Sequence, residues 1–202
     1  MLLIDKLTIR RGEDMLSYDL SLEAGKIMTI QGRSGAGKST LLDLIAGFLQ
    51  PEQGDIAWNN QSLLHLSVEQ RPVSMLFQAH NLFEHISVAK NLQLGLNLST
   101  DNSVSEVDVE TAAKALGVEE LLQRKPTALS GGQRQRIALL RTLLRPEPLV
   151  LLDEPFTGLD DATREQATDW VLSTARQYHK TVLLITHQDE DVSRLADCNL
   201  KI

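Results

Sequence analysis

The chain's 202 residues suffice for one well-cored domain and fall short for two. Its net charge of −7 and lack of a basic tail argue against sequence-independent nucleic-acid binding, while 42 % hydrophobic and 23 % charged residues are ordinary for a globular protein. A single cysteine, Cys198, cannot close an internal disulfide, so a reducing compartment is expected.

Asp5 and Lys6 interrupt the apolar Met1–Ile4 start, so no secretory leader is expected. No apolar run reaches the length of about 18 residues that a membrane span needs, so membrane contact is expected only through a partner. Residues 2–9 and 16–22 alternate apolar and polar, the pattern of half-exposed strands. Lys26–Gln31 predicts a third strand, running straight into a glycine-rich stretch from Gly32. A helix is expected over 38–46, with Leu41, Leu42, Leu44 and Ile45 inward and Gly47 as its stop. Pro51–Gly54 reads as a turn, and a short strand follows at Ile56–Trp58.

Val73–Phe77 reads as a buried strand, and a helix is expected after Ser87. Residues 97–105 are polar and loop-like, and Ser105 with Asp108 suggests a capping pair for a helix reaching about Leu116. Residues 131–145 predict a helix with Ile137, Leu140 and Leu144 on one face. Leu149–Leu152 and Thr181–Thr186 read as buried strands flanking a helix over 161–178, and Cys198–Ile202 is strand-like. Near-continuous apolar strands alternating with helices predict an α/β fold with a parallel sheet covered on both faces. The stretch from about 87 to 140 contains no strong strand and reads as a helical insertion.

Gly32-Arg33-Ser34-Gly35-Ala36-Gly37-Lys38-Ser39, followed by Thr40, fits the P-loop pattern at every fixed position, with a strand before it and a helix after. Glycines let consecutive backbone N–H groups point at phosphate oxygens, and the helix N-terminus adds its positive end. Lys38 is expected on the β- and γ-phosphates and Ser39 on magnesium. Downstream, the Leu149–Leu152 strand ends in Asp153-Glu154. Asp153 is the candidate for holding Mg2+ and Glu154 the candidate general base, although two acids after a strand also read as a helix cap.

Leu129-Ser130-Gly131-Gly132-Gln133, about 20 residues before Asp153-Glu154, resembles the signature sequence of the ABC ATPase family. Physically it offers a second anion site, with a serine hydroxyl and glycine N–H groups at a helix N-terminus. The resemblance covers essentially the whole chain. It implies a P-loop NTPase (RecA-like) core with an N-terminal antiparallel β subdomain and an inserted α-helical subdomain. The core is expected at about 1–86 and 146–202, and the helical part at about 87–145. It also implies a head-to-tail homodimer in which Ser130, Gly131, Gly132 and Gln133 act in trans on nucleotide bound by the partner. Gln78 then stands where the family places a glutamine touching magnesium and water, Asp160 in the loop crossing the dimer interface, and His187 where a histidine bonds the γ-phosphate.

The family's adenine-stacking aromatic is missing, and Arg10-Arg11 occupies its place, which makes Arg11 the substitute contact. The runs Arg71–Gln78, Asn81-Leu82-Phe83 and Gly95-Leu96-Asn97 resemble ATP-binding subunits of bacterial thiamine importers, and polyamine, sulfate and iron importers share parts of them. The implied partners are a second copy, a membrane permease and, indirectly, a periplasmic solute-binding protein. The implied place is the cytoplasmic face of the bacterial inner membrane. Leu82 and Phe83 either receive the permease or pack the helical insertion. Arg134, Arg141 and Arg145 read as a solvated helix face, and the acids of Gln188–Asp191 as service to a helix dipole. His80 and His85 lack a cysteine neighbour and do not read as zinc ligands.

Overall fold

The computed structural model describes residues 1–78, 82–96 and 106–202. His80, Asn81, Asn97 and the expected loop over 97–105, including Ser105 of the capping pair, lie outside the described residues, as does the side chain of Asp108.

In chain order the strands are β1 (Leu2–Arg11), β2 (Asp14–Leu22), β3 (Ile27–Gln31), β4 (Gln53–Trp58), β5 (Gln61–Ser62), β6 (Val73–Leu76), β7 (Leu149–Asp153), β8 (Thr181–Ile185) and β9 (Cys198–Lys201). The helices are α1 (Lys38–Ala46), α2 (Val88–Leu96), α3 (Glu106–Ala115), α4 (Gly131–Leu143), α5 (Asp161–Gln177) and α6 (Asp189–Leu195). They form two sheets. One is antiparallel, ordered β2-β1-β4-β5. The other is parallel throughout, ordered β6-β7-β8-β3-β9.

The parallel strands alternate their apolar side chains between two cores. Leu149, Leu151, Leu183, Ile185 and Ile30 face α1 and the antiparallel sheet. Val150, Leu152, Val182, Leu184 and Ile27 face the core that contains Ile137 and Leu140 of α4 and Val171 of α5. Burial on both faces explains why β7 and β8 read as unbroken apolar runs. Because every strand of this sheet points the same way, β6, β7, β8 and β3 all end at one rim, where the candidate residues Gln78, Asp153, Glu154, His187 and the P-loop follow them.

The α2–α4 helices enter the chain between β6 and β7, which is the expected insertion. α1 ends at Gly47, whose φ of 91° suits glycine, and whose added Cβ would lie 2.7 Å from Arg71 Nε. Arg71, 3 % exposed, donates to Leu44 O at 2.7 Å and Ile45 O at 2.9 Å, placing a cation on the negative end of α1.

Several expectations need correction. Val73–Phe77 is not a fully buried strand: β6 stops at Leu76, sits at the sheet edge and alternates half-buried with buried residues. β1 runs on to Arg11 and β4 begins at Gln53, inside the expected turn. Arg134, Arg141 and Arg145 are not a solvated face, since all three are half-buried. Arg134 donates to Leu129 O at 2.7 Å, and Arg145 forms a two-point ion pair with Glu147. Burial, with Arg145 nearby, lowers the Arg141 pKa, and its stem fills the space over Gly95, where an added Cβ would come within 2.7 Å of Cγ.

Candidate functional site

β3 passes directly into the loop Gly32–Gly37, and α1 starts at Lys38. Gly37, the N-cap, has φ 95° and ψ 9°; an added Cβ would lie 2.6 Å from the Tyr18 hydroxyl, so a larger residue is excluded twice. Tyr18 donates that hydroxyl to Gly37 O at 2.8 Å, tying β2 to the loop, and burial pushes its pKa up to about 12 with Arg11 opposing. α1 has no side-chain cap and no acid in its first turn, whereas α4 and α5 are closed by Ser130 and Asp160. The first N–H groups of α1 are therefore not closed by a side-chain cap, and a helix N-terminus of this kind can accept an anion. Lys38, 7 % exposed, turns its ammonium back onto Gly32 O at 2.9 Å and Arg33 O at 2.8 Å.

Ser39 hydrogen-bonds Asp153, bringing the P-loop helix against the end of β7. Burial raises the Asp153 pKa, Ser39 opposes this, the neighbouring Glu154 charge raises it further, and Lys38 and His187 pull it down. A buried carboxylate beside a hydroxyl is a hard-oxygen donor set suited to Mg2+. Among the described residues no group of three or more His, Cys, Asp or Glu could hold a metal ion.

Glu154 adopts φ 49°, a left-handed conformation rare for a non-glycine residue. Its N–H reaches Ile185 O at 3.2 Å, Oε1 lies 3.1 Å from His187 Nε2, and Oε2 accepts from Thr157 Oγ1 at 3.2 Å. Gln135, buried in α4, donates to Pro155 O at 2.7 Å and so ties this turn to the helix that follows Ser130. Gln78 is exposed just beyond β6 on the same rim. Thr157, Gln135 and Tyr18 escaped the sequence reading as site residues, because each acts through a contact distant in sequence or inside a turn.

Ser130 and Gln133 form a capping box: Gln133 N–H donates to Ser130 Oγ at 3.2 Å, and Ser130 N–H to Gln133 Oε1 at 2.9 Å. Gly131 is exposed, and an added Cβ there would meet nothing within 4 Å. The next glycine, Gly132, rests against Leu159 and Gly158 O. Ser130 and Gly131 thus form an open face bordering the Asp160 loop, while Leu129 is buried in the helical core. Asp160 caps α5, accepting from Thr163 N–H at 3.0 Å and Thr163 Oγ1 at 2.8 Å, which holds its carboxyl below the usual range.

Arg11 is exposed at the end of β1, close enough to Tyr18 and Asp43 to oppose the burial that raises the pKa of each. Leu82 and Phe83 part company: Leu82 packs on the helical core, while Phe83 is 49 % exposed in a loop pinned by the buried Asn91. The acids before and within α6 do more than serve its dipole, since Asp191 is 3 % exposed and paired with Arg164.

The family model described as ABC transporter matches residues 16–157. The thiamine import ATP-binding protein ThiQ of Aliivibrio fischeri is 48 % identical over 198 residues, covering 97 % of this chain and 84 % of that protein. ThiQ of Escherichia coli K12 is 44 % identical over 182 residues, covering 90 % of this chain and 78 % of that one. The dimeric, post-hydrolysis structure of the ATP-binding cassette MJ0796 with ADP and Pi aligns at TM-score 0.83 and 26 % identity, over 100 % of this chain and 96 % of that one. Another dimeric structure of MJ0796, a bacterial ABC transporter cassette, aligns at TM-score 0.85 and 26 % identity, over 100 % and 94 %.

Proposed function

Because this chain belongs to the ABC transporter family, we propose that it is the ATP-binding and ATP-hydrolysing subunit of a thiamine importer, working as a head-to-tail homodimer. One observation carries the reading. An uncapped helix N-terminus, a buried lysine and the Asp153-Glu154 pair share one rim, while Ser130 and Gly131 at the head of α4 are displayed outward.

The phosphates lie along the N–H groups of the Gly32–Thr40 stretch, and the Lys38 ammonium exchanges its two carbonyl acceptors for β- and γ-oxygens. Ser39, Asp153 and Gln78 would hold Mg2+, which when bound would supply charge neutralisation to the phosphates. Glu154 orients the attacking water and accepts its proton, and His187, already 3.1 Å from Glu154, bonds the γ-phosphate. Ser130, Gly131 and Gly132 of the second copy close over that phosphate, with Gln133 holding the turn and Asp160 at the crossing. Arg11 lies against adenine in place of the usual aromatic.

Thiamine itself is met by the permease and a periplasmic binder, not by this chain. No helix among the described residues is long and apolar enough to cross a membrane. In this reading the subunit docks on the permease from the cytoplasmic face. The docking face includes exposed Phe83, and Phe48, which is also exposed and packs its ring 5.4 Å from Phe77 beside Gln78.

The test is Glu154→Gln. It should keep ATP binding, abolish turnover and trap a dimer in ATP; gel filtration showing only monomer overturns the two-copy site. Reconstitution with the permease and binding protein should give ATP-dependent thiamine uptake. Uptake of a polyamine, sulfate or iron instead would keep the motor and reassign the cargo.

A further inference from the structure

Behind His187 lies a buried ionic link that the hydrolysis scheme above leaves unused. Arg164 of α5 meets Asp191 of α6 in a two-point pair, Nε to Oδ1 at 3.0 Å and Nη2 to Oδ2 at 2.7 Å. Asp191 is 3 % exposed, and its Oδ2 also accepts the Thr186 hydroxyl. The Thr186 oxygen accepts in turn from Gln188 N–H at 3.1 Å, and Thr186 N–H reaches Ile30 O of β3 at 3.2 Å. The residues on both sides of His187 are therefore anchored through one carboxylate. From the other direction, Arg164 N–H donates to Asp160 O at 2.8 Å, inside the first turn that follows the Thr157–Asp160 loop. That loop touches Glu154 through Thr157 and Gly132 through Leu159. A cleft of about 280 Å³ lies between them, lined by Glu154, Thr157, Arg164, Thr186, His187 and Asp191 among others.

We infer that Arg164 and Asp191 are positioning residues: their pair sets His187 against Glu154 and couples that setting to the loop that borders the signature face. A planar two-point pair fixes orientation as well as distance, which a packed apolar contact does not. A separate link between the two helices lies on the exposed side, where Arg194 of α6 bonds Glu165 at 2.6 Å and Asp169 at 2.8 Å of α5. The inference rests on His187 acting at the γ-phosphate.

ATP turnover in the reconstituted transporter tests it. Arg164→Ala should lower kcat by about 10- to 100-fold, the scale of a small misplacement of a reacting group, with KM for ATP within about twofold. Arg164→Lys should recover only part of the loss, and Arg194→Ala should leave turnover unchanged. In a His187→Ala background, Arg164→Ala should cause no further fall. A loss that multiplies undiminished in that background, or wild-type kcat in folded Arg164→Ala, overturns the inference. If Arg164→Ala does not fold, the near-isosteric Asp191→Asn decides by the same cycle. Wild-type turnover in His187→Ala alone would instead sink the assignment of His187, and the inference with it.

Discussion

The two rims of the parallel sheet each hold a buried lysine, and the two lysines do opposite jobs with the same chemistry. At the C-terminal rim Lys38, 7 % exposed, donates to Gly32 O and Arg33 O. At the N-terminal rim Lys180, 4 % exposed, donates to Arg145 O and Glu147 O just past the end of α4. What separates them is the company. Lys180 sits among carbonyls beyond a helix C-terminus, which accept its N–H bonds while burial weighs against its charge. Lys38 sits at an uncapped helix N-terminus, so its carbonyl acceptors hold a place that an anion can take. A buried charge is structural when its neighbours complete it, and functional when they leave an opening.

The sharpest way to break this comparison is to remove each cation. Lys38→Ala should weaken ATP binding by more than about 100-fold, on the scale of a lost charge-assisted contact to phosphate, while the melting temperature without nucleotide moves little. Calorimetric titration giving unchanged affinity would remove the phosphate assignment. Lys180→Met should do the reverse, leaving ATP affinity intact and changing stability against pH. Burial lowers the Lys180 pKa from 10.5 to about 8, with Glu147 opposing. Between those values the folded chain has shed a proton that the unfolded chain still binds, so wild-type stability should rise with pH from about 8 towards 10.5. The gain is on the order of 3 kcal/mol at most, and urea denaturation should show it vanish in Lys180→Met. Tyr18 acts in the opposite direction, since its raised pKa lowers stability between 10 and about 12; the comparison is therefore cleanest below pH 10.

Smaller effects sharpen the contrast between enclosed and open parts. Gly131→Asp places a carboxylate in the first turn of α4, where nothing lies within 4 Å of the new Cβ. Stability should hold or rise by about 0.5 kcal/mol from the helix dipole. Turnover should nonetheless fall by about tenfold or more as the acid meets the partner's phosphate. Equal turnover would show that this face meets no anion. Arg11→Ala should raise KM for ATP by about two- to threefold, the scale of one exposed stacking contact, and leave kcat alone.

Much of this was legible in the sequence, for a specific reason. Strands β7 and β8 are buried on both faces and announce themselves as apolar runs, and the P-loop lies where such a strand meets a helix. The candidate residues sit at the ends of these strands, so reading the strands brought the candidates to one rim. Charged residues on helices were the failures. Arg141 looks like surface from its neighbours, yet Gly95, on a separate helix, leaves room for its stem. Asp191 looks like a helix-start acid, and its partner Arg164 lies 27 residues earlier on another helix. No periodicity encodes such a pairing. Strand β5, two residues long, carries no period to detect.

The capping box at Ser130 has a consequence for recognition. A hydroxyl has two acceptor lone pairs and one proton. The Gln133 N–H occupies one lone pair, which leaves the proton and the second lone pair to be offered outward. A phosphate oxygen, being an acceptor, can take that proton without disturbing the cap. The small turn at the head of α4 therefore keeps a donor on offer to an arriving acceptor even while its own backbone is satisfied.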